Sequence, residues 1–248
     1  MATHLPEVVI MPASPGMRER LIVALDVSTA AAAHALVQRI GDAAGIYKVG
    51  LQLFSHEGPA LVRDLVSSGR RVFLDLKLHD IPNTVSHAVK AAAELGVHML
   101  TVHASGGAAM LQVATDAAGA KLSVLAVTVL TSLNDEDMLE TGVSGRVTDQ
   151  ALRMAALAQN AGCKGIVSSP REALLIRKSL GEGFAIVTPG IRPSGAESDD
   201  QQRIATPSQA IANGASHIVV GRPITHAEDP AKAARAIISE MERAKISR

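Results

Sequence analysis

Tryptophan is absent from this 248-residue chain, and one tyrosine and three phenylalanines are its only other large aromatics. Formal net charge is zero. Stacking platforms and a basic footprint are both missing, so a nucleic-acid polymer is not an expected partner. A single cysteine, Cys163, allows neither an internal disulfide nor a cysteine metal cluster, and fits a reducing cytoplasm. No apolar run approaches the roughly 20 residues of a bilayer-spanning helix, so no membrane partner is expected. The opening MATHLPEVVIMPASPGMRER carries an apolar patch, residues 8–11, too short and too Pro-interrupted for a secretory signal. Residues 1–18 are expected to be a loosely attached extension, with Met17 a candidate start, and 19–248 the catalytic domain.

What remains repeats one pattern, an apolar strand followed by an Ala-rich helix. Expected strands cover 21–27, 45–51, 71–78, 97–103, 122–130, 163–169, 184–189 and 217–221. Expected helices cover 29–40, 58–67, 82–95, 108–118, 148–160, 171–179, 207–212 and 230–244. Runs such as LSVLAVTVL are apolar on both faces, as in parallel strands covered by helices. Eight such units in about 250 residues predict a single α/β chain folded as a (β/α)₈ TIM barrel. An open doubly wound sheet is the alternative, because a strand count does not establish closure.

In a barrel, chemistry gathers where strands end. Along RVFLDLKLHDIPNT, alternation puts Leu74, Leu76 and Leu78 on one face and Phe73, Asp75 and Lys77 on the other. Two opposite charges on one face of an apolar strand are expensive to bury without a purpose. A structural Asp–Lys pair, with Asp80 as a helix N-cap, is the plainer explanation. Asp26 on the first strand and Lys48 on the second bring further charge to the same mouth. His103 is balanced between packing and site lining, and Thr131-Ser132 reads alone as a turn or cap. TPGIRP and VVGRPI end the seventh and eighth strands, where barrels frequently bind phosphate. There Gly221 admits a close backbone approach and Arg222 supplies a forked donor. The polar segment 191–205 reads as a lid, with Gln201 or Arg203 reaching inward.

KVGLQLF, DLKLHDIPNT, LTS, TPGIRP, the DQ of the lid and IVVGRPI, in this order between about residues 21 and 230, resemble the orotidine 5′-phosphate decarboxylase family. Mg²⁺-dependent relatives on the same barrel, 3-keto-gulonate-phosphate decarboxylase and hexulose-phosphate synthase, share DxKxxD. They place an acidic metal ligand where Lys48 stands and lack IPNT. The resemblance therefore implies decarboxylation of orotidine 5′-phosphate to UMP, the last step of pyrimidine (UMP) biosynthesis, with neither metal nor cofactor; a Mg²⁺-dependent sugar-phosphate lyase is the alternative. It assigns ribose binding to Asp26 and Lys48, and the position beside the leaving carboxylate to Asp75. Lys77 becomes the acid that protonates carbon 6. Asp80 and Thr84 are implied to serve the partner's site in a homodimer with shared active sites. Thr131 and Ser132 match the pyrimidine segment; Arg192, Gln201, Gly221 and Arg222 match the phosphate and lid contacts.

Overall fold

A computed structural model describes residues 16–193 and 205–246. Its eight strands are β1 (Leu21–Ala24), β2 (Ile46–Gly50), β3 (Arg71–Leu78), β4 (Met99–His103), β5 (Ser123–Val127), β6 (Gly165–Val167), β7 (Ala185–Thr188) and β8 (His217–Val220). All neighbours pair in parallel, and β8 returns to β1, so the sheet closes in sequence order. The closed barrel expected from the strand count is the fold observed, and the open sheet is not.

The helices are α1 (Met17–Arg20), α2 (Ala30–Ile40), α3 (Leu51–Ser67), α4 (Pro82–Glu94), α5 (Gly107–Ala118), α6 (Asp135–Glu140), α7 (Val147–Asn160), α8 (Ala173–Leu180), α9 (Pro207–Ala212), α10 (Arg222–Thr225) and α11 (Pro230–Ile246). Three differences from expectation have local causes. Helix begins at Leu51 rather than 58, and the expected 58–67 helix is the second stretch of α3, set off by Gly58 (φ +64) and opened by Pro59. The acidic α6 is capped by Asn134, whose side chain accepts from the amides of Glu136 and Asp137, and not by Thr131 or Ser132. The expected extension meets the fold at α1: Met17 is buried, and the Gly45 amide donates to the Arg18 carbonyl. Residues 1–15 lie outside the described part.

Alternation divides the apolar residues into two cores. Ile22, Ala24, Ile46, Phe73, Met99, Leu125, Val187 and Val219 fill the barrel interior. Leu21, Val23, Leu74, Leu100 and Ile218 point outward into the larger layer beneath the helices. The interior is a packed floor, which leaves the C-terminal mouth, where barrels build their sites, as the open end to consider.

Arginines tie the opposite end. Arg20 donates to the carbonyls of Ala215 and Ser216, and Arg177 to those of Gly181, Phe184 and Gly214. His217 lies within reach of the charges of Arg20 and Arg71. Burial first, then the charges of Arg20 and Arg71, pull its pKa from 6.5 down to about 4. Its neutral form is the one that fits the fold, so this contribution is complete above pH 6.5 and disappears as pH falls through about 4. Its size is roughly 3 kcal/mol. Denaturant unfolding across pH 7 to 4 should therefore show a steeper loss of stability in the wild type than in His217→Gln.

Candidate active site

The register of the first three strands assembles a row of alternating charges. Ala24 pairs with Lys48, and Gly50 with Asp75, so Lys48 lies between the carboxylates of Asp26 and Asp75. Lys48 Nζ is 3.0 Å from Asp26 Oδ1 and 3.9 Å from Asp75 Oδ2. Lys77 Nζ is 2.9 Å from each Asp75 oxygen. Lys48 and Asp75 keep only 12% and 13% of their side-chain surface, against 60% for Asp26 and 28% for Lys77, so the row is most buried at its centre. Water competes least there, where attraction between opposite charges is strongest.

Lys77 reaches Asp75 through an irregular backbone. Leu74 pairs with Leu100 and Leu78 with Val102, so three β3 residues pass the single Thr101 of β4. This bulge turns Lys77 to φ +51, the sole positive φ outside glycine among the described residues. Such a conformation costs about 1–3 kcal/mol and persists only when its surroundings enforce it. The buried Thr101 hydroxyl accepts from the Lys77 amide at 2.8 Å and donates to Asp75 Oδ1 at 2.9 Å.

Above the row opens a cavity of about 540 Å³. Asp26, Lys48, Asp75, Lys77, Thr131, Arg192, Gly221 and Arg222 all line it. Val127, Val129 and Val167 form an apolar wall facing the charges, a feature the sequence reading missed because valine in a parallel strand is ordinary core. Burial of one wall lowers the local dielectric and strengthens whatever the row does to a ligand.

The remaining candidates lie elsewhere. Asp80 and Thr84 are exposed and do not line this cavity. Asp80 Oδ1 accepts from the Ile81 amide, but Ile81 holds the N-cap position of α4, so Asp80 is not that helix's cap. Ser132 is exposed in the turn after β5. His103 packs against His79 with ring centroids 5.5 Å apart. Burial, then His79 and Lys77, lower its pKa against the opposing pull of Asp75, which favours a neutral ring. Gln201 and Arg203, with the rest of 194–204 in the segment expected to be a lid, lie outside the described part. The base of that segment is closed by backbone bonds from Arg192 to Ala205 and from Ala205 to Gly190.

The seventh and eighth strand ends converge at the other side of the mouth. Gly190 takes φ +77, which favours glycine, and leads into the largely buried Arg192. Gly221 precedes Arg222, the first residue of α10. A Cβ on Gly221 would stand 3.6 Å from Asp26 Oδ2, in the space between the arginine side and the charged row. Among the described residues no group of three or more His, Cys, Asp or Glu is disposed to hold a metal ion. The Lys48 ammonium fills the gap between the two carboxylates.

Comparison with known proteins accounts for this combination. Residues 19–237 match the model of the orotidine 5′-phosphate decarboxylase / HUMPS family. The chain belongs to that family. An orotidine 5′-phosphate decarboxylase of Moorella thermoacetica is 50% identical over 237 residues, 92% of this chain and 94% of the relative. One from Sodalis glossinidius is 51% identical over 226 residues, 90% of each chain. Among solved structures, the orotidine 5′-phosphate decarboxylase of Lactobacillus acidophilus superposes with a TM-score of 0.80 at 40% identity, covering 89% of this chain and 98% of its own. The enzyme of that name from Pyrococcus horikoshii gives 0.72 at 26% identity, covering 90% and 99%.

Gly50 is a second residue whose importance the sequence does not announce. An added Cβ would lie 2.8 Å from Lys48 Nζ, although φ −96 suits any residue. Gly50→Ala should displace the ammonium without straining the backbone. The expected outcome is a loss of about ten- to a hundredfold in kcat/KM, with stability changed by less than about 0.5 kcal/mol. Steady-state kinetics and denaturant unfolding of the same preparation check both.

Proposed function

We propose that the chain decarboxylates orotidine 5′-monophosphate to UMP and CO₂ in the cytoplasm, without metal or organic cofactor. The observation that carries this reading is the row Asp26–Lys48–Asp75–Lys77 beneath a cavity whose far side holds Arg192 and Arg222. Membership of the family supports it. Nothing favours a Mg²⁺-dependent sugar-phosphate lyase.

Cleaving the bond between carbon 6 and its carboxylate leaves an electron pair on carbon 6 with no adjacent carbonyl to delocalise it. The protein must meet that charge with a fixed cation, and Lys77 is that cation. Asp75, 2.9 Å from Lys77 Nζ, fixes where that ammonium stands. At an effective dielectric of about 20, unit charges near 4 Å interact by roughly 4 kcal/mol. Lys77 Nζ then gives its proton to carbon 6, and solvent restores it. Asp75 stands against the substrate carboxylate, and departure of neutral CO₂ relieves the repulsion. The valine wall suits a neutral product better than an anion.

Binding is divided along the cavity. Asp26 and Lys48 take the ribose hydroxyls, Thr131 and Ser132 the pyrimidine edge. Arg192, Gly221 and Arg222 take the phosphate, with Gln201 from the lid. Phosphate binding energy holds the ring over the charges, so a remote contact contributes to the rate. Asp80 and Thr84 serve the site of a second copy. Support comes from their exposure and from Ile81 and Leu51, which are 67% and 53% exposed. Large apolar side chains beside functional ones are what a covering subunit would bury.

Purified protein should consume orotidine 5′-monophosphate, followed by loss of the pyrimidine absorbance, and Lys77→Ala should lower kcat/KM by at least about 10³-fold. An inactive wild type, or a Lys77→Ala variant as fast as wild type, would overturn the assignment. Mixing inactive Lys77→Ala and Asp80→Ala proteins should restore part of the activity, because one hybrid site then carries both intact residues. No recovery after confirmed subunit exchange would confine Asp80 to its own chain.

A further inference from the structure

We infer that Thr101 is a positioning residue for the decarboxylation, an inference that rests on the function proposed above. It is fully buried, its side chain lies under the mouth rather than in the cavity wall, and it touches the charged pair from below. Its role is therefore exerted through Asp75 and Lys77.

One hydroxyl is asked to satisfy both members of the pair. The bulge of β3 takes the Lys77 amide out of the β3–β4 ladder, and Thr101 Oγ1 accepts from it at 2.8 Å. Having accepted an N–H, the oxygen has its own proton left to place. A carboxylate can only accept, so that proton points at Asp75 Oδ1, 2.9 Å away. Oδ1 is also one of the two oxygens bridged by Lys77 Nζ. A closed circuit results: Lys77 backbone to Thr101, Thr101 to Asp75, and Asp75 back to the Lys77 ammonium. The circuit fixes the backbone of the acid and the rotation of the carboxylate with a single atom. Without it, the left-handed conformation at Lys77 loses the partner that rewards it, and Asp75 is oriented by the two mobile ammoniums alone.

Chemistry that depends on where an ammonium and a carboxylate stand is sensitive to such loosening, whereas ligand binding held by a remote phosphate is not. Removing the hydroxyl should thus lower kcat and spare KM. A merely structural hydroxyl would change stability, or kcat and KM together.

Thr101→Val keeps the branching and shape without the hydroxyl, and Thr101→Ser keeps the hydroxyl without the methyl. The expected result is a fall in kcat of about a hundredfold for Val with KM within about threefold, and recovery to within about threefold of wild type for Ser. UMP affinity by calorimetry should stay within about twofold in both. Hydrogen exchange at the Lys77 amide, followed by NMR, should quicken in Val and not in Ser. Should Val fail to fold, Thr101→Ala provides the same contrast against Ser. The inference is overturned if the hydroxyl-free variant keeps its kcat, if Ser and Val lose activity alike, or if exchange at Lys77 is the same in all. An inactive wild type would instead refute the proposed decarboxylation, and the exchange measurement would still decide whether Thr101 holds the bulge.

Discussion

Asp75 is held from three directions. Lys77 Nζ bridges both of its oxygens, Thr101 donates to one, and Lys48 Nζ stands 3.9 Å from the other. A carboxylate with only 13% of its side chain exposed is tolerable because each of these neighbours compensates the loss of water. The same arrangement prevents the two ammoniums from drifting toward solvent. Remove Asp75 and two half-buried cations face each other with nothing between them. The charged row and the hydrogen bond that supports the bulge meet at this one side chain.

The barrel serves that requirement through its register. Pairing Gly50 with Asp75 and Ala24 with Lys48 sets the height of each charge above the interior layer of Ile22, Phe73, Met99, Leu125, Val187 and Val219. A packed floor leaves the charges nowhere to relax downward. At the far end, Arg20 and Arg177 tie the β7–β8 region to its helices, and the closure from β8 to β1 brings Arg222 across from the Lys77 side. Stability and chemistry thus occupy opposite ends, as the architecture favours.

Much of this was readable from the residues, and the limits have physical causes. Strands apolar on both faces specify burial between helices, and eight strand–helix units favour a barrel, but closure itself shows only in the pairing of β8 with β1. Asp75 and Lys77 stood out because charges on the inner face of an apolar strand contradict its pattern. Thr101 did not, because threonine in MLTVH is an ordinary β-branched strand residue, and its role exists only through a bulge in the neighbouring strand. Positive φ at Lys77 is equally silent in sequence, since lysine gives no hint of it. Gly50 lay inside the expected strand 45–51 as an ordinary residue, and only its distance from Lys48 Nζ reveals why a side chain would interfere. Asp80 had a plausible local use as a cap, which the position of Ile81 at the N-cap removes.

The proposed chemistry asks fixed protein charges to do what a metal or an electron sink does in other decarboxylations. Lys48 is the pivot of that claim, since its ammonium lies between the carboxylates that a divalent ion would otherwise seek. The most direct test is turnover of orotidine 5′-monophosphate by protein dialysed exhaustively against a chelator and assayed with chelator present. An undiminished kcat/KM is the predicted result. Loss of turnover that returns only when Mg²⁺ is restored would contradict the account.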